Sequence, residues 1–182
     1  MSNFFSRAGD TSPAEVLQQY LTFTLAEEVF AVGTRSVREI IEYDALTGVP
    51  MMPSCVLGVI NLRGGVVPIM DLRQRFGAGQ TTINRRSCIV ILEVARDDLH
   101  QVMGIVVEAV NAVIEIDAQC VEPAPGFGAR IRTDFIQGMA KLERGLVVML
   151  DIGRVLSLDD LQGLAGIPIS ASPTTNSRNF AR

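Results

Sequence analysis

Gly58-Val-Ile-Asn-Leu-Arg-Gly-Gly-Val-Val-Pro-Ile-Met-Asp-Leu72 lies over Gly138-Met-Ala-Lys-Leu-Glu-Arg-Gly-Leu-Val-Val-Met-Leu-Asp-Ile152 without a gap. Gly58 and Gly138, Leu62 and Leu142, Gly65 and Gly145, Val67 and Val147, and Asp71 and Asp151 coincide, and most other pairs stay apolar. In each copy a strand-like run enters a charged glycine turn, a second run leaves it, and an aspartate closes the unit. Arg63-Gly64-Gly65 reads as a hairpin because glycine accepts positive φ without steric cost. A weaker echo joins Phe30–Ile41 to Met103–Ile114 upstream. Two copies of one supersecondary unit predict two similar small β subdomains.

Working outward, the other strong signals are also strands. Tyr20–Leu25 alternates aromatic, β-branched and aliphatic residues, and Glu27-Glu28 reads as a turn into Val29–Val32. Further strands are expected at Val56–Leu62, Val66–Met70, Cys88–Val94, Val102–Val107, Val113–Ile116 and Leu146–Leu150. Helical spacing is confined to Asp151–Leu164, with Asp151 placed to cap it. Short helical turns are expected near Thr34–Ile40 and Pro53–Leu57. The fold class is therefore mainly all-β, with a short C-terminal helix. The expected layout is a flexible extension over 1–15, a body of two intertwined β-barrel subdomains over 16–166, approximately 16–85 and 86–166, and a disordered polar tail over 167–182.

The 182 residues are 48% hydrophobic, with mean hydropathy +0.30. A spanning helix needs roughly 20 consecutive apolar residues, whereas runs such as Cys88–Leu92 and Leu146–Leu150 are only strand-length. No direct membrane insertion is expected, and Met1–Asp10 lacks the apolar block of a signal peptide, so the cytoplasm is the expected compartment. Two subdomains packed face to face, each closed on itself, account for the apolar excess and hide strand edges. Net charge −4 and a pI near 5.0 leave no basic footprint for nucleic acid. Cys55, Cys88 and Cys120 fit neither a disulfide framework nor a zinc site, and Cys88 reads as a small core hydrophobe. No cofactor is expected.

A search for catalytic chemistry returns little. His100, the only histidine, falls in the polar stretch Arg96-Asp-Asp-Leu-His100 and reads as a solvated loop residue. Nucleophile elbow, phosphate loop and dinucleotide fingerprint are all missing from the sequence. The reading is a protein that docks partners and is not an enzyme; the alternative from a different class is a small-ligand β-barrel or an enzyme with a site between the subdomains.

The Gly58–Arg73 segment resembles the CheW family of chemotaxis coupling proteins, in which a Gly-Val-Ile-Asn-Leu-Arg-Gly hairpin runs into Val-Pro-Ile-Asp-Leu-type strands. The similarity continues through Phe23-Thr-Leu, Glu28-Val-Phe-Ala-Val, Val37-Arg-Glu-Ile-Ile-Glu-Tyr, Met103-Gly-Ile-Val-Val-Glu-Ala-Val, Glu122-Pro-Ala-Pro and Met149-Leu-Asp-Ile. It spans about Tyr20 to Leu161. The resemblance implies two SH3-like five-stranded barrels sharing a hydrophobic core. It also implies an adaptor that bridges methyl-accepting chemoreceptor tips to the regulatory domain of the histidine kinase CheA. Such an adaptor is recruited to arrays at the inner face of the cytoplasmic membrane and is expected to be monomeric when free. Some relatives serve pilus-motility or biofilm pathways, an alternative output. Carried over by position, Glu39 and Arg63 form an ion pair that holds a docking turn whose other members are Leu62 and Gly64. Val37, Gly58, Cys88, Gly104 and Val110 match the receptor-facing groove between subdomains. Arg35, Ser36 and Gly65 depart from the family's usual residues.

Overall fold

A computed structural model describes residues 17–96, 99–126 and 131–157. The strands are β1 (Leu17–Leu25), β2 (Glu28–Gly33), β3 (Val37–Glu42), β4 (Val56–Leu62), β5 (Gly65–Asp71), β6 (Cys88–Arg96), β7 (Leu99–Val107), β8 (Ala109–Asp117), β9 (Val121–Glu122), β10 (Ile136–Leu142) and β11 (Gly145–Leu150). Two four-residue helices, α1 (Leu72–Arg75) and α2 (Ile152–Val155), follow β5 and β11. Strands β3-β6-β7-β5-β4 make a five-stranded sheet, and β8-β1-β2-β11-β10-β9 make a six-stranded one whose last member has only two residues. Each sheet curls around its own core. Val67, Ile69, Ile89, Ile91 and Val106 fill the first barrel, and Tyr20, Ala31, Ile116, Ala140, Val147 and Met149 fill the second.

A third and larger core lies between the barrels and includes Phe23, Phe30, Met70, Val90, Leu92, Met103, Ile105, Phe135 and Leu150. Strands that separate a barrel core from this shared core are buried on both faces. Along β6, Ile89 and Ile91 enter the first barrel while Val90 and Leu92 enter the shared core. That is why Cys88–Leu92 is apolar without alternation: neither face meets water. Four phenylalanines cross the shared core in sequence, with ring centroids 6.0 Å apart for Phe23–Phe30, 6.0 Å for Phe30–Phe76 and 5.9 Å for Phe76–Phe135.

The sequence echo is reproduced bond by bond. Gly58 faces Ile69, Ile60 faces Val67 and Leu62 faces Gly65 in the first hairpin; Gly138 faces Met149, Ala140 faces Val147 and Leu142 faces Gly145 in the second. Both hairpins carry a register shift just before the glycine, at Val56/Gly58 and at Ile136/Gly138. Asp71 and Asp151 cap α1 and α2 through their side chains, accepting from Arg73 N and Arg154 N. The weaker echo has a spatial meaning as well. β5 lies parallel to β7 with Ile69 opposite Gly104, while β11 lies parallel to β2 with Met149 opposite Ala31. One difference has a local cause. Pairing of β5 with β7 begins at Ile69, because Pro68 has no N–H to donate, whereas the second copy pairs from Val147.

Several expectations need correction. The intertwining takes a specific form across the division near 85/86, because β1–β2 joins strands of the second half and β6–β7 joins strands of the first. Each barrel is thus assembled from both repeats. Packing decides this, since the first two strands of either repeat carry the same two-faced pattern. The turn before β2 is Ala26-Glu27, with φ 48° and 68°, and Glu28 already belongs to the strand. The expected turn at Thr34–Ile40 is a 3₁₀ turn over Thr34–Ser36 only, and Val37 begins β3. His100 lies within β7 opposite Ala95, not in a loop, and its Nδ1 stands 3.0 Å from Glu93 Oε1. The helix expected over Asp151–Leu164 is described only at its start, and the terminal segments 1–15 and 167–182 lie outside the described residues.

Candidate functional site: a pinned turn and the seam between barrels

The β4–β5 turn consists of Arg63 and Gly64, with φ 52° and 84°. Positive φ at both central residues is the mark of a type I′ turn, whose twist matches that of the strands it joins. Gly64 takes this conformation freely, whereas Arg63 must be held in it. Two contacts act there. Gly64 N donates to Asn61 Oδ1 at 3.0 Å, and Arg63 Nη2 donates to Glu39 Oε2 at 3.1 Å. The Arg63 side chain is 79% exposed and that of Glu39 is 26% exposed. An ion pair this wet contributes about 0–1 kcal/mol, so its effect is to orient the turn against β3 more than to stabilise the fold. Leu62, just before the turn, is half-buried against the first barrel's core.

The equivalent turn of the second barrel is built differently. Glu143-Arg144 replaces Arg63-Gly64, positive φ moves to Gly145 at 123°, and Ala112 occupies the register position of Glu39. The pinned turn is therefore a property of one barrel, although the scaffolds are alike.

The remaining sequence-selected residues fall into two sets. Val37, Cys88 and Val110 are half-buried and pack against the shared core from the seam between barrels. Val37 and Val110 are register equivalents, flanking matching bulges in the β3–β6 and β1–β8 pairs. Cys88 Sγ lies 3.4 Å from Arg86 O. Gly58 and Gly104 do not join them. A Cβ on Gly104 would stand 2.4 Å from Ile69 Cδ1 and 2.8 Å from Ile89 Cγ2, inside the first barrel. One on Gly58 would stand 2.5 Å from Thr47 O, where Thr47 bridges Val59. Both glycines serve close packing.

Sequence reasoning passed over the residues that close the seam. Arg75, from α1, donates from Nε to Val155 O at 3.0 Å and from Nη2 to Ser157 O at 3.1 Å, joining α1 to the end of α2. Its guanidinium and that of Arg132 each lie 4.8 Å from the Phe135 ring centroid. Arg132 also pairs with Asp134 and holds that carboxyl below the usual range. Asp71 is almost fully buried and accepts from Arg73 N at 2.9 Å, Thr81 N at 2.8 Å and Thr81 Oγ1 at 2.6 Å, which fixes the connection between the repeats. The run Asp71-Leu-Arg-Gln-Arg-Phe76 carried the signal, an N-cap followed by cations in the last turn.

Outside the seam, both barrels expose apolar residues at equivalent positions: Ile40 and Val66 on the first, Val113 and Leu146 on the second. Among the described residues, no group of three or more His, Cys, Asp or Glu side chains is placed to hold a metal, and no helix is long and apolar enough to cross a membrane. Twin barrels around a common core, with one pinned turn and apolar residues presented to solvent, define a protein-docking module. The family model for the CheW-like domain matches residues 19–160. A chemotaxis protein CheW from Klebsiella aerogenes is 32% identical over 154 residues, covering 85% of this chain and 88% of the relative. One from Bacillus subtilis is 29% identical over 153 residues, covering 84% and 95%. The crystal structure of the scaffolding protein TtCheW from Thermoanaerobacter tengcongensis superposes with a TM-score of 0.71 at 30% identity, covering 85% of this chain and 96% of that one. The chain belongs to the CheW family of chemotaxis coupling proteins, and it is a non-catalytic adaptor.

Proposed function

We propose that this adaptor links the cytoplasmic tips of methyl-accepting chemoreceptors to the regulatory domain of the histidine kinase CheA, and that it acts at receptor arrays on the inner face of the cytoplasmic membrane. The free protein is a monomer in this reading. The observation that supports it most directly is the Arg63–Glu39 pair, which contributes little to stability yet fixes a solvent-facing turn. The half-buried seam residues Val37, Cys88 and Val110 offer a second face, suited to an apolar partner surface. Gly58 and Gly104 support these faces from within the first barrel by allowing close packing beneath them.

The test mixes purified protein with CheA and receptor-bearing membranes and measures the protein and kinase that sediment together. Arg63→Glu, which sets two carboxylates against each other, should lower co-sedimented kinase several-fold while thermal stability stays within about 1 kcal/mol of the original. The exchanged pair Arg63→Glu with Glu39→Arg should recover part of the loss. A folded Arg63→Glu protein that couples as well as the original would remove the turn from the docking surface.

A further inference from the structure

We infer that the two halves of this chain are mutually obligate binding partners, so that a break in the connection at Gly79–Gln80 leaves a single, fully assembled adaptor. The argument rests on which strand pairs lie within a half and which cross between halves. Within residues 17–79 only two hairpins are hydrogen-bonded, β1–β2 and β4–β5, and β3 has no partner strand in its own half. Isolated two-stranded hairpins are marginal in water. The second half keeps β6–β7 and the β9–β10–β11 ladder, and β8 is left alone. Every pairing that enlarges these pieces into barrels crosses between halves: β1 with β8, β2 with β11, β3 with β6, and β5 with β7.

The cores follow the same rule. The first barrel is filled by Val67 and Ile69 from one half and by Ile89, Ile91 and Val106 from the other. The second takes Tyr20 and Ala31 from the first half and Ile116, Ala140, Val147 and Met149 from the second. Phe30 and Phe76 continue to Phe135 across the halves, and Arg75 bonds to Val155 O and Ser157 O. Neither half therefore has a buried interior of its own.

The connection itself carries little of this. Gly77 and Gly79 are exposed at φ 75° and 85°, with nothing within 4 Å of a Cβ built on either. Ala78 O is held by Arg73 on the first-half side, and Thr81 is held by Asp71 on the second-half side. A break between Gly79 and Gln80 keeps both attachments, and the Asp71–Thr81 bonds become one more contact between the pieces.

The experiment places a specific protease site between Gly79 and Gln80 in the full chain and cuts it after folding. The cut protein should elute with the uncut one, keep its strand circular dichroism, and reform from an equimolar mixture diluted out of urea. Its unfolding midpoint should fall on tenfold dilution while that of the uncut chain does not, because only a two-chain complex responds to concentration. Separation of the pieces under native conditions, or either piece persisting alone as a folded monomer, would overturn the inference. Hydrogen exchange on the unmodified chain gives an independent reading. Protection of β1–β2 should rise and fall with β8 and β11, and that of β6–β7 with β3 and β5. Protection that instead divides at residue 79, with one half opening before the other, would contradict it.

Discussion

Replacing three glycines by alanine separates packing that a side chain can relieve from packing that it cannot. At Gly58 the new methyl would sit 2.5 Å from Thr47 O and 3.0 Å from Thr47 C, which are backbone atoms. Relief requires Thr47 to move away, and Thr47 exchanges two bridging hydrogen bonds with Val59, 3.0 Å from Thr47 N to Val59 O and 2.9 Å in return. Two lost bonds at about 1 kcal/mol each, with residual crowding and a φ of 157° that side chains rarely adopt, give a cost of about 3 kcal/mol. For a domain of this size that lowers the thermal midpoint by about 6–12 °C. At Gly104 the nearest atoms are side-chain atoms, Ile69 Cδ1 at 2.4 Å, which ends its chain, and Ile89 Cγ2 at 2.8 Å, which a β-branched carbon in the barrel core holds more stiffly. The cost there is about 1–2 kcal/mol, or about 2–8 °C. Gly33, at φ −58° with nothing within 4 Å, should gain about 0.4–1 kcal/mol by restricting the unfolded chain. Urea titrations at constant m, with thermal scans, measure all three. Gly58→Ala as stable as Gly33→Ala would refute the claim that Thr47 closes over that glycine.

The two capping aspartates should differ in the same manner. Asp71→Ala leaves Thr81 N without its carboxylate in a buried setting and should cost about 3 kcal/mol, against about 1 kcal/mol for Asp151→Ala at a partly exposed cap; equal urea midpoints would show the Asp71 network to be dispensable. Burial raises the Cys55 thiol pKa, outweighing the opposing influence of Arg75 and a backbone hydrogen bond, while Cys120 is exposed. Thiolate is the reactive form, so iodoacetamide at neutral pH should label Cys120 first and reach Cys55 only on unfolding. Mass spectrometry reads the order, and simultaneous labelling in native buffer would contradict it.

Much of the site could be read without coordinates because its chemistry is local. Arg63-Gly64 between two apolar runs specifies a hairpin through backbone sterics alone, and Asp71 caps whatever helix follows it. Glu39 is different: it reaches Arg63 only because the barrel closes and brings β3 against the β4–β5 turn, so its role came from family resemblance and not from spacing. Arg75 and Thr81 were missed for a related reason. Their partners, Val155, Ser157 and Asp71, are brought near by tertiary packing or by a connection whose path carries no periodic signal.

By itself the amino-acid order determined the elements and their duplication, since turns, caps and apolar runs act over a few residues and repeat with the same offsets. It did not determine which hairpin joins which barrel. β2 and β7 present equivalent registers to β11 and β5, with Ala31 and Gly104 in matching places, so pairing within a repeat and pairing between repeats look alike in one dimension. Tertiary structure made that choice: with the halves exchanged, the two-faced strands bury one side in a barrel and the other in the core both barrels share.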